Sequence, residues 1–222
     1  MSFVVAIDGP SGSGKGTVTK LIAKKLNLVN IDTGAMYRCV ALKALRNHIE
    51  STEIKKVEEL LEDIEIEIKR EGENQIIFLD GEDVSEQIRT IQVDNCVAKF
   101  AELACVRNKV TPLQRKMGKT QNIIMDGRDI GTTVFPDANV KIYLDASVEE
   151  RANRRYKQDI EKGMNVTYEK ILENIKKRDK SEKEREIAPL RQAEDAIYID
   201  SSNMTIEEVV DKVIEIVKER KK

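Results

Sequence analysis

Five short apolar runs punctuate the chain, and each stops at an aspartate: 3–8 (FVVAID), 28–32 (LVNID), 122–126 (NIIMD), 140–145 (VKIYLD) and 196–200 (AIYID). Each leads into a helical pattern or a longer connection. Near-continuous apolar strands suit a sheet buried on both faces, and strands alternating with helices predict parallel βαβ units. The aspartates would then collect at the C-terminal edge of the sheet, where open α/β sheets bind ligands. Residues 64–70 (IEIEIKR) break this pattern, because they alternate with period two as a half-buried strand does. Residues 71–74 (EGEN) read as a turn and 75–81 (QIIFLDG) as the return strand, which predicts an antiparallel insert over 63–92. A lone hairpin is marginal, so it should pack on something or gain a strand from 82–88 (EDVSEQI). Residues 92–120 are helical by pattern, with Pro112 expected to kink or divide the helix near Thr111. Two S/T-x-x-E boxes, 147–150 and 205–208, predict capped helix starts. The first opens a very basic helix over 147–163; the second opens a C-terminal helix with Ile206, Val209, Val210, Val213, Ile214 and Val217 on one face.

Composition narrows the class. A chain of 222 residues accommodates one α/β domain with a small insert. Lys and Arg number 38 against 40 Asp and Glu, a net charge of −2, whereas binding nucleic acid through its phosphates calls for a basic excess. No apolar run approaches the ~20 residues that span a bilayer, and the N-terminus shows no export pattern. Cys39, Cys96 and Cys105 have no metal-ligand spacing, so reduced thiols in a cytoplasmic protein are expected. The single histidine, His48, reads as a helix-end residue, and mechanisms needing several histidines are excluded.

The candidate chemistry begins at residues 9–17, GPSGSGKGT, between a predicted strand and a helical pattern over 18–26. This is the strand–loop–helix context of a phosphate-binding loop. Gly9, Gly12 and Gly14 free the backbone to aim its N–H groups inward, with Pro10, Ser11 and Ser13 completing the loop. The helix N-terminus adds positive potential, and Lys15 adds a point charge for β- and γ-phosphates. Gly16 follows Lys15 where the general pattern has Ser or Thr; this GKGT run resembles nucleoside monophosphate kinases, which implies a Mg²⁺ ion held mainly by ATP oxygens and water, with Thr17 as the candidate hydroxyl.

A GTPase would show D-x-x-G, and no glycine in the chain has Asp three residues before it. The arginines favour a kinase of a phosphorylated acceptor, since joining ATP to a second anion demands counter-charge. Arg38 and Arg128 stand in predicted loops near strand ends; Arg151, Arg154, Arg155, Arg178 and Arg185 lie in basic helices, where a solvated face is the plain alternative. Kinases of UMP, AMP or a small metabolite, a nucleotide-binding module without turnover and a polynucleotide-dependent ATPase remain open on these residues.

The stretches IDGPSGSGKGT, DTGAMYR, LDGEDVSEQIRT, DGRDIGTTVFPDA, KIYLDAS and IKKRD together resemble bacterial-type cytidylate kinases. The loop is shared by many kinases; DGRDIGTTVFPDA and the hairpin insert are more specific. The resemblance implies a five-stranded parallel sheet of order 2-3-1-4-5 in a core of residues 1–62 and 93–222, a CMP-binding insert over 63–92 and a helical lid over about 147–190. It implies transfer of the γ-phosphoryl group from ATP, with Mg²⁺, to CMP or dCMP. The absence of an unexplained apolar surface helix from the sequence pattern leads to the expectation of a monomer, and the charge balance and short apolar runs to one without nucleic acid or membrane. The resemblance further implies Lys15 and Arg128 as catalytic, Arg38 and Arg128 on the acceptor phosphate and Thr33 near the nucleotide. Arg107 and Asp129 would read cytosine, Arg178, Glu182 and Arg185 would contact the sugar or phosphate, and Arg151 and Arg154 would approach ATP. By the same resemblance, Ala98 and Glu182 stand where some such kinases carry Ser and Asp, and Pro112 lies in a helix that they can carry without proline.

Overall fold

The computed structural model describes residues 2–71, 74–161 and 163–221. In chain order the elements are β1 (Val4–Asp8), α1 (Lys15–Leu26), β2 (Val29–Asp32), α2 (Thr33–Arg46), α3 (Ile54–Glu62), β3 (Ile66–Glu71), β4 (Asn74–Leu79), β5 (Glu82–Asp83), α4 (Ile91–Ala101), α5 (Ala104–Thr120), β6 (Ile123–Gly127), β7 (Val140–Asp145), α6 (Val148–Glu161), α7 (Tyr168–Glu184), β8 (Ile197–Asp200) and α8 (Ile206–Arg220). All five aspartate-ended runs become strands of one sheet, in the order β2-β6-β1-β7-β8. Counting those strands alone, the order is 2-3-1-4-5, as expected. β1 pairs in parallel with β6 and β7, and β7 with β8.

The chain divides into two compact units, residues 1–31 with 118–222, and residues 32–117. In the first, Val18 and Ile22 of α1 and Val209, Val210, Val213, Ile214 and Val217 of α8 cover Val5, Ile7, Ile142 and Leu144 of the sheet. The apolar face expected of the last helix forms, except that Ile206, in its first turn, is 45 % exposed. Ala152 of α6 and Ile171 and Ile175 of α7 make a smaller cluster of their own.

The second unit holds the predicted insert. β3 and β4 pair antiparallel from Ile66↔Leu79 to Glu71↔Asn74. The turn read at 71–74 falls partly on Gly72 and Glu73, which lie outside the described residues. The added strand shrinks to the two residues of β5. The hairpin escapes the instability of an isolated ribbon because Ile66, Ile77 and Leu79 share a core with Met36 and Val40 of α2 and Val93, Val97 and Phe100 of α4.

Three local expectations are corrected. The helical stretch over 92–120 divides at Glu102 and Leu103, and Pro112 sits inside an unbroken α5. A proline removes one helix hydrogen bond and crowds one carbonyl, and here the packing of Val106, Val110 and Leu113 on either side of it outweighs that loss. Arg38 is not in a loop. The Asp32 carboxylate accepts from the Ala35 amide at 3.2 Å, so α2 starts directly at the end of β2 and places Arg38 in its second turn. The start of α6 carries half a capping box: Ser147 Oγ accepts from the Glu150 amide, but Ser202 takes the Ser147 amide and Arg154 takes the Glu150 carboxylate.

At α8 the box is complete, with Thr205 Oγ1 accepting from the Glu208 amide and the Glu208 carboxylate from the Thr205 amide at 2.8 Å. Thr205→Ala is therefore expected to lower stability by about 1 kcal/mol. Denaturant midpoints of the two proteins measure it.

Candidate active site

The loop over residues 9–17, the expected phosphate cradle, joins β1 to α1, which begins at Lys15, three residues ahead of the expected start. Gly9 has φ +150°, and a Cβ there would lie 2.0 Å from the Leu144 carbonyl oxygen; at Gly12, φ +81°, it would meet Arg151 Cβ at 3.1 Å. The loop thus lies directly on the end of β7 and on α6, at distances only glycine permits. Lys15 is 5 % exposed. Its ammonium donates to the Pro10 carbonyl at 2.7 Å and to the Ser13 hydroxyl at 3.3 Å, inside its own loop. Burial, reinforced by the Arg128 charge, pulls its pKa down to about 7 against the attraction of Asp126, Glu182 and Asp8. Thr17 is exposed on the first turn of α1.

Opposite that loop, Asp8 anchors a wide turn. Its buried carboxylate accepts from the Ile130 amide at 2.8 Å and the Gly131 amide at 2.7 Å. Burial outweighs those two bonds and raises its pKa to about 6. Residues 130–134 form a π-helical turn, with the Val134 amide donating to the Asp129 carbonyl and the Phe135 amide to Ile130. Such turns re-aim side chains, and this one follows Arg128 and Asp129 immediately.

The first-unit residues expected on the acceptor side converge. Arg128 Nε donates to Glu182 Oε2 at 2.7 Å, and Arg178 Nε donates to Glu182 Oε1 at 2.9 Å. Burial works against a charge on Glu182, but Arg128 and then Arg178 outweigh it and hold its pKa at about 2. Arg185 lies 3.6 Å from Asp129 and donates from Nε to the Ala188 carbonyl. Arg151 and Arg154 of α6 both reach the loop, through the carbonyls of Ser11 at 3.2 Å and Ser13 at 3.5 Å. Arg155 instead pairs with Asp159 along the helix surface.

Three predicted residues belong to the second unit. Thr33 is buried at the start of α2. Arg38 donates to the Ile88 carbonyl at 2.9 Å and pairs with Asp94 at 2.6 Å. Arg107 is 4 % exposed, donates to the Ala101 carbonyl at 2.9 Å and lies 5.5 Å over the Tyr37 ring.

The family model described as cytidylate kinase matches residues 5–219. The chain belongs to the cytidylate kinase family. A cytidylate kinase of Caldicellulosiruptor saccharolyticus is 50 % identical over 212 residues, covering 96 % of this chain and 94 % of the relative. One from Bacillus subtilis is 46 % identical over 216 residues, covering 97 % and 96 %. The solved structure of an uncharacterized protein from Eubacterium ventriosum covers 99 % of both chains with a TM-score of 0.53 at 14 % identity, a likeness of fold alone.

Within this member of the cytidylate kinase family, sequence reading passed over Asp8 and Asp179. The aspartate at the end of each strand run was a signal, but nothing local separates Asp8 from Asp145 or Asp200. Those two accept from nearby amides of their own chain segment, Ala146 and Ser202. Asp179 pairs with Arg151, 28 residues away.

Glu182 has a folded-state pKa of about 2 against the usual 4.5. Its pairing therefore stabilises the fold fully above 4.5, and that contribution is lost as pH falls toward 2. A shift of this size corresponds to about 3 kcal/mol. The stability advantage of the wild type over Glu182→Gln is expected to shrink by roughly that amount between about pH 5 and pH 2, as read from denaturant unfolding at each pH.

Proposed function

We propose that this cytidylate kinase family member performs its reaction with the residues assembled around the Lys15 loop and the Arg128–Glu182–Arg178 group. The chain transfers the γ-phosphoryl group of ATP to CMP or dCMP, giving ADP and CDP or dCDP. The observation that carries the residue assignment is the convergence of Arg128 and Arg178 on one buried carboxylate near Lys15. Two guanidinium forks held by a protein carboxylate form an anion site that a substrate phosphate also satisfies.

The acceptor oxygen of a nucleoside monophosphate is already anionic, so the reaction needs no general base. It needs the two charged groups brought in line and their repulsion neutralised. The oxygen–phosphorus bond to the β-phosphate breaks as the acceptor oxygen bonds the γ-phosphorus, and ADP departs with the electron pair. Gly9, Pro10, Ser11, Gly12, Ser13, Gly14, Gly16 and Thr17 cradle the donor phosphates. Lys15 leaves its loop carbonyl for the β- and γ-oxygens, where the phosphate charge favours its ammonium form. Arg154 supports the donor side, and Arg151 serves it through the loop. Arg128 and Arg38 hold the acceptor phosphate, Thr33 lies near the nucleotide, and Arg178, Glu182 and Arg185 serve its sugar and phosphate. Arg107 and Asp129 read cytosine: a carboxylate accepts from the N4 amine and a guanidinium donates to N3 and O2, whereas the uracil O4 would face Asp129 unfavourably.

Mg²⁺, when bound, neutralises charge across the β- and γ-oxygens. Among the described residues no group of three or more His, Cys, Asp or Glu is placed to hold a metal ion, which fits an ion carried by ATP oxygens and water with Thr17 as its nearest hydroxyl. Residues 63–92 form the CMP-binding insert of a core made of 1–62 and 93–222, and about 147–190 form the lid that excludes water during transfer. The protein works as a cytoplasmic monomer without nucleic acid or membrane. Its net charge of −2 supports the independence from nucleic acid, and among the described residues no helix is long and apolar enough to cross a membrane.

ADP release measured in parallel with CMP, dCMP, UMP and AMP tests the function. Fast turnover with CMP and dCMP alone is expected; turnover with another monophosphate would overturn Arg107 and Asp129 as base readers. Lys15→Ala is expected to lower kcat by about 100- to 1,000-fold, and a near-normal rate removes it from the chemistry. Asp129→Ala is expected to cost about 100-fold in kcat/KM for CMP and to erase discrimination against UMP, with KM for ATP unchanged. Steady-state kinetics with each acceptor measures this.

A further inference from the structure

Arg151 is 3 % exposed and Asp179 is 7 % exposed. Every guanidinium nitrogen of Arg151 has a protein partner: Nε donates to the Ala146 carbonyl at 2.9 Å, Nη1 to Ser11 O at 3.2 Å and Asp179 Oδ1 at 3.0 Å, and Nη2 to Asp179 Oδ2 at 2.6 Å. A fork–fork pair of this kind fixes orientation as well as charge. The Arg151 side chain therefore joins the end of β7, the phosphate loop and α7 at one point. The loop also touches α6 there, since any Cβ at Gly12 would press on the Arg151 Cβ and carbonyl. Four of its five N–H donors are taken by protein, so the guanidinium has at most one to spend on a nucleotide, yet it grips the loop expected to bind one.

We propose that Asp179 is a positioning residue for ATP, acting from α7 through the Arg151 guanidinium to hold the Ser11 carbonyl and so fix the aim of the phosphate loop. The proposal rests on the reading of residues 9–17 as the donor site and is independent of which acceptor is used. Asp179 orients Arg151 by occupying both its terminal nitrogens. Without that partner the guanidinium would turn toward other acceptors and release Ser11 O. The loop would then sample orientations in which its amides no longer converge on the phosphates, and a small displacement of such a group costs far more than its own hydrogen bond.

The experiment is equilibrium binding of ATP with Mg²⁺ by titration calorimetry, paired with CMP titration and thermal unfolding of the same proteins. Asp179→Asn keeps the shape but loses the charge and one of the two fork bonds. Arg151→Lys keeps the charge beside Asp179, and so keeps the buried carboxylate paired if the first variant folds poorly, while losing the link to Ser11. Each is expected to raise Kd for ATP about tenfold or more, with Kd for CMP within about twofold. The double variant is expected to be no worse than the worse single, because both changes break one connection. Unchanged ATP affinity in a folded but less heat-stable variant would overturn the proposal, leaving the pair a structural staple only. Equal losses of ATP and CMP affinity would overturn it too, as general loosening. Absent CMP turnover in the wild type would refute the acceptor reading and leave the ATP arm of this test standing.

Discussion

Lys15 carries its ammonium into the end of a sheet where little of it remains in contact with water, and the surrounding architecture answers to that one buried charge. An isolated cation in such a place is costly, so the loop bends its own Pro10 carbonyl onto it and the strand ends supply carboxylates at longer range. Asp8, Asp126 and Glu182 all favour the charged lysine, while burial and Arg128 oppose it. The outcome is an ammonium poised near neutrality, which anionic phosphates would bring fully into its charged form.

The same logic governs the second group of charges. Arg128 and Arg178 share Glu182, and the pairing is strong enough to keep that carboxylate ionised far into acid. A buried carboxylate between two guanidiniums costs less than either arginine buried alone. Glu182 thus keeps its charge between the two arginines. Arg38 is arranged alike in the other unit, against Asp94 and the Ile88 carbonyl. Arg38, Arg128 and Arg178 are thus each paired with a carboxylate.

Cytidylate kinase chemistry asks for positioning more than for reactive groups, and the fold spends its special geometry accordingly. Gly9 and Gly12 allow the loop to lie on Leu144 and Arg151 at distances that exclude a side chain. Asp8 takes the two leading amides of the π-helical turn, which sets the residues before it, Arg128 and Asp129, at the same sheet edge as Lys15. None of these features is reactive. Each removes freedom from a group of the candidate site.

Much of this was legible along the chain because the deciding interactions are local. Apolar runs ending in aspartate marked all five core strands, alternation at 64–70 marked the hairpin, and Thr205 with Glu208 marked the last helix, since each depends on residues within a few positions of one another. The strand–loop–helix passage from β1 to α1 was equally plain, with Lys15 at the start of the helix. What the tertiary structure alone decided lies in contacts that span the chain. Pro112 stays inside a helix because packing outweighs one lost bond. Ser147 loses half its capping box to Ser202, 55 residues on. Asp179 meets Arg151 and Glu182 meets Arg128 across 28 and 54 residues. A sequence carries every charge but not its partner, because pairing of buried charges is fixed by which helices the sheet brings together, and no spacing along the chain encodes that.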